Sequence, residues 1–304
     1  MKKRKHHHVW KFYLKAWATA GKIYYLRENG IKNPNIIGVA NKRDFYKTTQ
    51  LTTDDMQFIK TLFNEIATPQ YKILRDEWIT FFADFLELEE LLRSFNSQNT
   101  TVYLKINEMI HNFHEDYHSK IEGEMIPIFQ QLYNEKMTFI DNENLFEKFL
   151  HFLCVQYFRT RAIRDGVTNT SEAYNFPQIG KTWHIFSMIF ASNMTLSLYT
   201  QRSQLKFIFL KSNTLNFITG DQPIINTFAD YKCNRILGAD EFEFYYPIAP
   251  DKALLITTSP KYQNKDHINI SEFCVNNYNT KIFLASYKQI YAKEKTDLLE
   301  FQKL

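Results

Sequence analysis

Glycine is scarce in this chain, with 8 residues in 304, and no segment has the glycine spacing of a Walker or dinucleotide-binding phosphate cradle. Cysteine is scarcer. Cys154, Cys233 and Cys274 are odd in number and far apart, which excludes a disulfide framework and a structural zinc site and fits reduced thiols. No apolar run reaches the ~18 residues that a membrane span needs. The basic residues Lys2 to Lys5 lead into a polar-interrupted stretch and not into a signal-peptide core. A soluble cytoplasmic protein with no membrane partner is expected. Also missing are a GxSxG nucleophile elbow, an HExxH zinc helix and any cysteine with a neighbouring base that would make it a thiolate.

What is present is a globular composition: 44% apolar, 23% charged, rich in Phe (27) and Tyr (18). The formal charge of +4 is mild, and acidic and basic residues are interspersed. A nucleic-acid partner is therefore allowed but not demanded, since phosphate neutralisation usually needs a concentrated basic face.

The chain changes style twice. GKIYYL (21–26) and NIIGVANKRDFYK (35–47) read as strands joined by the turn residues of ENGIKNPN. TTDDMQFIKTLFNEIA opens with a Thr N-cap and an acidic first turn, and helical periodicity then continues to about residue 202. Helix breaks are expected near Pro69, at 94–100, near Pro127, at 139–144 and at 164–171. From 205 onward, short β-branched or aromatic runs (205–212, 215–221, 223–226, 241–249, 253–259) alternate with turn signals; a helix follows at 271–286 and KQIYAK reads as a last strand. Neither set of strands can bury a face alone. The expectation is an α+β fold: a mixed or antiparallel sheet built from N-terminal and C-terminal strands, with a large, mostly helical middle region. As domains, this is a single compact unit, 1–304, with a helical insertion at about 53–202 inside a sheet formed by 21–47 and 205–292.

Three stretches carry chemistry-bearing side chains. HNFHEDYH puts His111, His114 and His118 on one helical face, a spacing that can bind a transition metal and that more often marks an ordinary solvated face. In LCVQYFRTRAIRD, Gln156 and Arg159 share a face at i, i+3, and Arg161 and Arg164 repeat the spacing. An Arg fork grips phosphate or carboxylate; leaving a buried helix, it equally calls for an acidic partner. FITGDQPIIN places Asp221 where a strand turns, with Pro223 holding Gln222 extended. Such an Asp serves either its own backbone or an acid/base or metal role. Glu122, alone, reads as solvated. For the run His6-His7-His8, zinc lacks further ligands at useful spacing, a basic arm involves only Lys2 to Lys5, and the open question is His7.

The order of HHxVxxFYLxxW at the N-terminus, QxxRT in mid-chain and TGDQP followed by YYPIAP resembles the uncharacterised family catalogued as domain of unknown function 4238. The resemblance runs from about His6 to Ala292. The family pattern, His before an aromatic-Val-Pro-x-Phe-Tyr-Leu stretch, maps onto His7, Val9 and Phe12-Tyr13-Leu14, with His8 where the aromatic stands and Trp10 where the Pro stands. It would make Glu122, Gln156, Arg159, Asp221 and Pro223 the matching positions further along. Some members lie among bacterial anti-phage defence genes, so the resemblance implies a defence effector without implying its chemistry.

If His7, Glu122, Gln156, Arg159 and Asp221 meet, they supply an imidazole, two carboxylates and a guanidinium: parts for acid/base chemistry on a phosphorylated substrate. The reading is a nuclease or nucleotide-directed hydrolase acting on RNA, DNA or a nucleotide. His7 would be the general acid/base, Glu122 and Asp221 would orient it or hold a divalent metal, and Arg159 would stabilise phosphate charge. The alternatives are a non-enzymatic sensor or adaptor with a polar ligand pocket and a partner protein, and transfer chemistry on a small metabolite. The cofactor requirement and the oligomeric state are not specified by the sequence.

Overall fold

The computed structural model describes residues 5–7, 9–43, 51–66, 71–95, 100–173, 176, 178–231 and 241–303. Strand β1 (Lys5–His7) is followed by a single helical turn, α1 (Lys11–Leu14), which tightens into a 3-10 turn at Lys15–Trp17. Val9, Trp10, Tyr13, Leu14 and Trp17 are all buried, so this short segment is an anchor in the core. Strands β2 (Tyr24–Arg27) and β3 (Gly30–Lys32) form the expected hairpin. The strand expected at 35–47 is shorter. Asn35 caps a 3-10 turn at Ile36–Gly38, and only β4 (Asn41–Arg43) is extended, pairing antiparallel with β1; 44–47 lie outside the described residues.

Helix α2 (Thr53–Ile66) starts with a reciprocal capping box: Asp55 N–H donates to Thr52 Oγ1 (3.2 Å) while Thr52 N–H donates to Asp55 Oδ2 (2.8 Å). Then come α3 (Lys72–Ser94), α4 (Thr101–Tyr133), α5 (Glu143–Phe158), α6 (Arg161–Ala173) and α7 (Gln178–Thr200). α7 is apolar nearly all round and is the central helix, touching α3, α5 and α6.

Two expected breaks are absent. α4 runs straight through Pro127, whose cost of about 3 kcal/mol in a helix interior is outweighed by burial of Met125, Ile128, Phe129 and Leu132 around it. The break expected at 164–171 falls instead at Arg159–Thr160, where Thr160 Oγ1 accepts from Ile163 N–H (3.4 Å) and caps α6, so Gly166 sits inside a helix. The break near Pro69 lies outside the described residues.

The remaining strands are β5 (Lys206–Lys211), β6 (Thr219–Gly220), β7 (Ile225–Asn226), β8 (Glu243–Ala249), β9 (Lys252–Thr257), β10 (His267–Asn269) and, after helix α8 (Glu272–Ala285), β11 (Ile290–Ala292). They form a five-stranded sheet, β10-β5-β9-β8-β7, mixed because β10 runs parallel to β5, and a four-stranded antiparallel sheet, β3-β2-β11-β6. The fold is thus α+β with a large helical middle, and the strands of the two ends of the chain join in the four-stranded sheet, through β2 and β11. The five-stranded sheet is apolar on both faces. Phe207, Phe209, Phe244, Tyr246, Leu254 and Ile256 face the helices, and Ile208, Leu210, Tyr245, Ala253 and Leu255 face the second core with α8. That two-sided burial is why β5, β8 and β9 read as continuous apolar runs and not as alternating ones. Among the described residues no helix is long and apolar enough to cross a membrane.

Candidate functional site

α4 and α5 run antiparallel, and ring contacts set their register. Phe129 meets Phe152 at 5.6 Å, edge to face. Seven residues back on α4 is Glu122, and seven forward on α5 is Arg159; the same register therefore brings these two together. Arg159 Nη2 donates to Glu122 Oε1 at 2.7 Å. Both side chains are nearly withdrawn from water, at 3% and 12% exposure. Burial raises the proton affinity of Glu122 above the ordinary carboxylate range, against the opposing pull of the Arg159 charge and of Gln156 on the same face. The i, i+3 spacing of Gln156 and Arg159 has placed both side chains over one carboxylate.

A tyrosine layer covers this pair from the sheet side. Tyr246 of β8 senses both charges, packs edge-on against Phe129 (5.9 Å) and stacks on Tyr13 (5.1 Å). The Tyr13 hydroxyl donates to the Pro247 carbonyl (2.7 Å) and shares a hydrogen with Thr219 Oγ1 (2.6 Å). Burial pushes the hydroxyls of Tyr13 and Tyr246 far above their usual pKa, so both stay protonated.

Asp221 is held differently. Its carboxylate accepts from the backbone N–H groups of Tyr287 (2.7 Å), Lys288 (2.9 Å) and Gln289 (3.1 Å), while its own N–H donates to the Gln289 carbonyl (2.9 Å). Burial pushes its pKa up to about 6 despite those donors. The preceding Gly220 is required by close approach: a side chain there would run into Ser286 Oγ and come within 3.3 Å of the Gln289 carbonyl. Next in sequence, Gln222 accepts a short hydrogen bond from Thr160 and donates to the Ile224 carbonyl (2.5 Å). The residues following Arg159 and Asp221 are therefore in direct contact, which brings the two stretches into one neighbourhood.

The backbone of His7 is paired opposite Asn41; its side chain lies outside the described residues. Phe12 packs near Tyr133 (6.3 Å) and Phe129 (6.4 Å), and Trp10 packs on Phe129 (5.2 Å) and Phe152 (5.8 Å), so the segment that follows His7 is anchored on the C-terminal part of α4.

The histidine face is not solvated. His114 and His118 are buried, and His114 lies against Phe82 (6.3 Å) and His184 (5.3 Å) between α3 and α7. Burial lowers the pKa of His184 to about 4, leaving a neutral ring. Among the described residues no group of three His, Cys, Asp or Glu side chains could hold a metal ion. Glu122 is engaged by Arg159 and Asp221 by three amides, so this donor set does not fit a divalent metal. Cys154 is buried and its thiol is pushed up to about 12, which makes it inert, and Cys233 lies outside the described residues. Asn279 serves the backbone, accepting from Ile218 N–H (3.0 Å) and donating to Asn216 O (2.9 Å). Sequence reasoning missed Tyr246, Thr160 and Gln222 as parts of the site, although the motifs QxxRT, TGDQP and YYPIAP contain all three.

These features define an α+β protein with a buried Glu–Gln–Arg cluster between two helices, closed by tyrosines and by an aspartate-pinned loop. The chain belongs to the family described as Protein of unknown function (DUF4238), whose model matches residues 5–296. Comparison with curated proteins and with solved structures returns no match.

Proposed function

We propose that this chain is a cytoplasmic hydrolase acting on a phosphodiester or nucleotide substrate (RNA, DNA or a free nucleotide), and that it serves as an anti-phage defence effector. The observation that carries the reading is the buried Glu122–Arg159 pair, on the same helix that Trp10 of the N-terminal anchor packs against. In this reading His7 is the general acid/base, Arg159 meets the phosphate charge, and Glu122, whose proton affinity burial raises, holds the guanidinium. Asp221 is a positioning residue that fixes the loop 287–289. A buried ion pair costs desolvation that an apolar pair would not, so its presence favours a working site over packing alone.

The test is cleavage of a panel of single- and double-stranded RNA and DNA and nucleoside triphosphates by the purified chain. His7→Ala is expected to abolish turnover with an unchanged melting curve, and Arg159→Lys to lower kcat by about a hundredfold through loss of the bidentate fork. Full activity in His7→Ala removes that residue from the chemistry.

A non-enzymatic sensor or adaptor, acting through a partner protein, is the second reading. It is favoured by the Thr160–Gln222 and Asp221 contacts, in which each polar group is satisfied internally, as in a network that specifies a fold. Saturable nucleotide binding without turnover would favour it over the first.

A further inference from the structure

Away from the Glu122 cluster, α3, α5 and α7 enclose an open cleft of about 780 Å³. That volume lies in the range of small-molecule sites. One wall is a corner of two rings on α3, Trp78 and Phe81, whose centroids are 6.0 Å apart and whose planes meet at 87°. Tyr199 of α7 lines another wall and already carries a cation: the Arg202 guanidinium sits 4.8 Å over its ring. The floor is a set of satisfied polar groups. Trp78 Nε1 donates to Ser192 Oγ (2.8 Å), and His151 Nε2 contacts the Tyr117 hydroxyl (2.9 Å). Burial lowers the pKa of His151, so the imidazole is neutral and brings no positive charge to the cleft.

The charges that do line it have one sign. Glu77 and Glu147 stand at its edges, exposed, and no Lys or Arg lines the cleft. Nearby cations are spent elsewhere: Arg202 pairs with Glu143 (3.1 Å) and Lys148 with Glu124 (3.1 Å). Among the described residues neither Glu77 nor Glu147 takes part in an ion pair. A perpendicular aromatic corner flanked by two uncompensated carboxylates is the recognition chemistry of an organic ammonium, whose charge is attracted to ring faces and whose apolar body fills the volume. We propose that the α3–α5–α7 cleft binds a small organic cation, an alkyl- or aryl-substituted ammonium, as a ligand site separate from the Glu122–Arg159 cluster. The inference does not rest on the hydrolase reading, because none of Glu122, Gln156, Arg159 and Asp221 lines the cleft.

The test titrates benzyltrimethylammonium into the full chain by calorimetry, beside benzyl alcohol as a neutral comparator and phenylacetate as an anionic one. The cation is expected to bind saturably and at least about fivefold more tightly than either comparator. The surface double variant Glu77→Gln/Glu147→Gln, checked for an unchanged melting temperature, is expected to erase most of that preference, and Phe81→Leu to weaken the cation alone. Absence of saturable binding at millimolar concentration, binding of phenylacetate as tight as that of the cation, or a preference unchanged in the double variant would each overturn the proposal.

Discussion

Glu122 and Asp221 are both acidic, both buried and both raised in pKa by that burial, yet they are compensated in opposite ways. Glu122 is held by side chains, the Arg159 guanidinium with Gln156 beside it. Asp221 is held by three consecutive backbone amides. A guanidinium on a flexible stem can trade a carboxylate for an incoming phosphate; a row of amides cannot move without unmaking the loop that carries it. The difference leaves side-chain compensation at the α4–α5 interface and backbone compensation at the Asp221 turn.

Removing the holder should break the comparison most visibly at Glu122. Arg159→Ala strands a buried carboxylate and is expected to cost about 3–5 kcal/mol, while Arg159→Met combined with Glu122→Leu should recover most of it. Denaturant unfolding of the three proteins measures this, and a cost below ~1 kcal/mol would mean the pair is not withdrawn from water. Asp221→Ala leaves buried amides without an acceptor and is expected to cost about 3 kcal/mol. Its signature should be local: faster hydrogen exchange at 287–289 with little change along α4.

The most gradual effect is in pH. The folded pKa of Asp221 is about 6 against an ordinary 3.8, so between these values the folded state binds more protons than the unfolded one. Stability from this group is therefore greatest below about pH 4 and is lost as pH rises through about 6, by roughly 3 kcal/mol spread over that window. Asp221→Asn should flatten that slope in unfolding midpoints measured from pH 4 to 7; an unchanged slope would assign it to another group.

Much of this was visible in the sequence, for identifiable reasons. The helical middle declares itself through period and caps, and Gln156 with Arg159 through i, i+3 spacing, because both are local regularities. Arg159's acidic partner was foreseen in kind, and the register of Phe129 on Phe152 makes it Glu122. Pro127 and the run 164–171 misled because local propensity was overridden by burial of Phe129 and its neighbours and by the cap at Thr160. The Tyr246 lid and the Thr160–Gln222 contact leave no local trace, since each joins side chains far apart in the chain.

Those long spans have a consequence for how the protein is made. Tyr13 reaches Thr219 across 206 residues and Pro247 across 234, and Trp17 reaches Phe217 across 200. During synthesis at about 5–20 residues per second, the aromatic anchor emerges first and waits on the order of ten seconds or more for the strands it binds. The helical middle can collapse meanwhile from local contacts, so the Glu122–Arg159 pair can form before its tyrosine cover arrives. Closure by the sheet then follows the helices, and a chain truncated before Pro247 would still dock Trp10 on Phe129 and Phe152 but would leave the Tyr13 hydroxyl without its carbonyl acceptor.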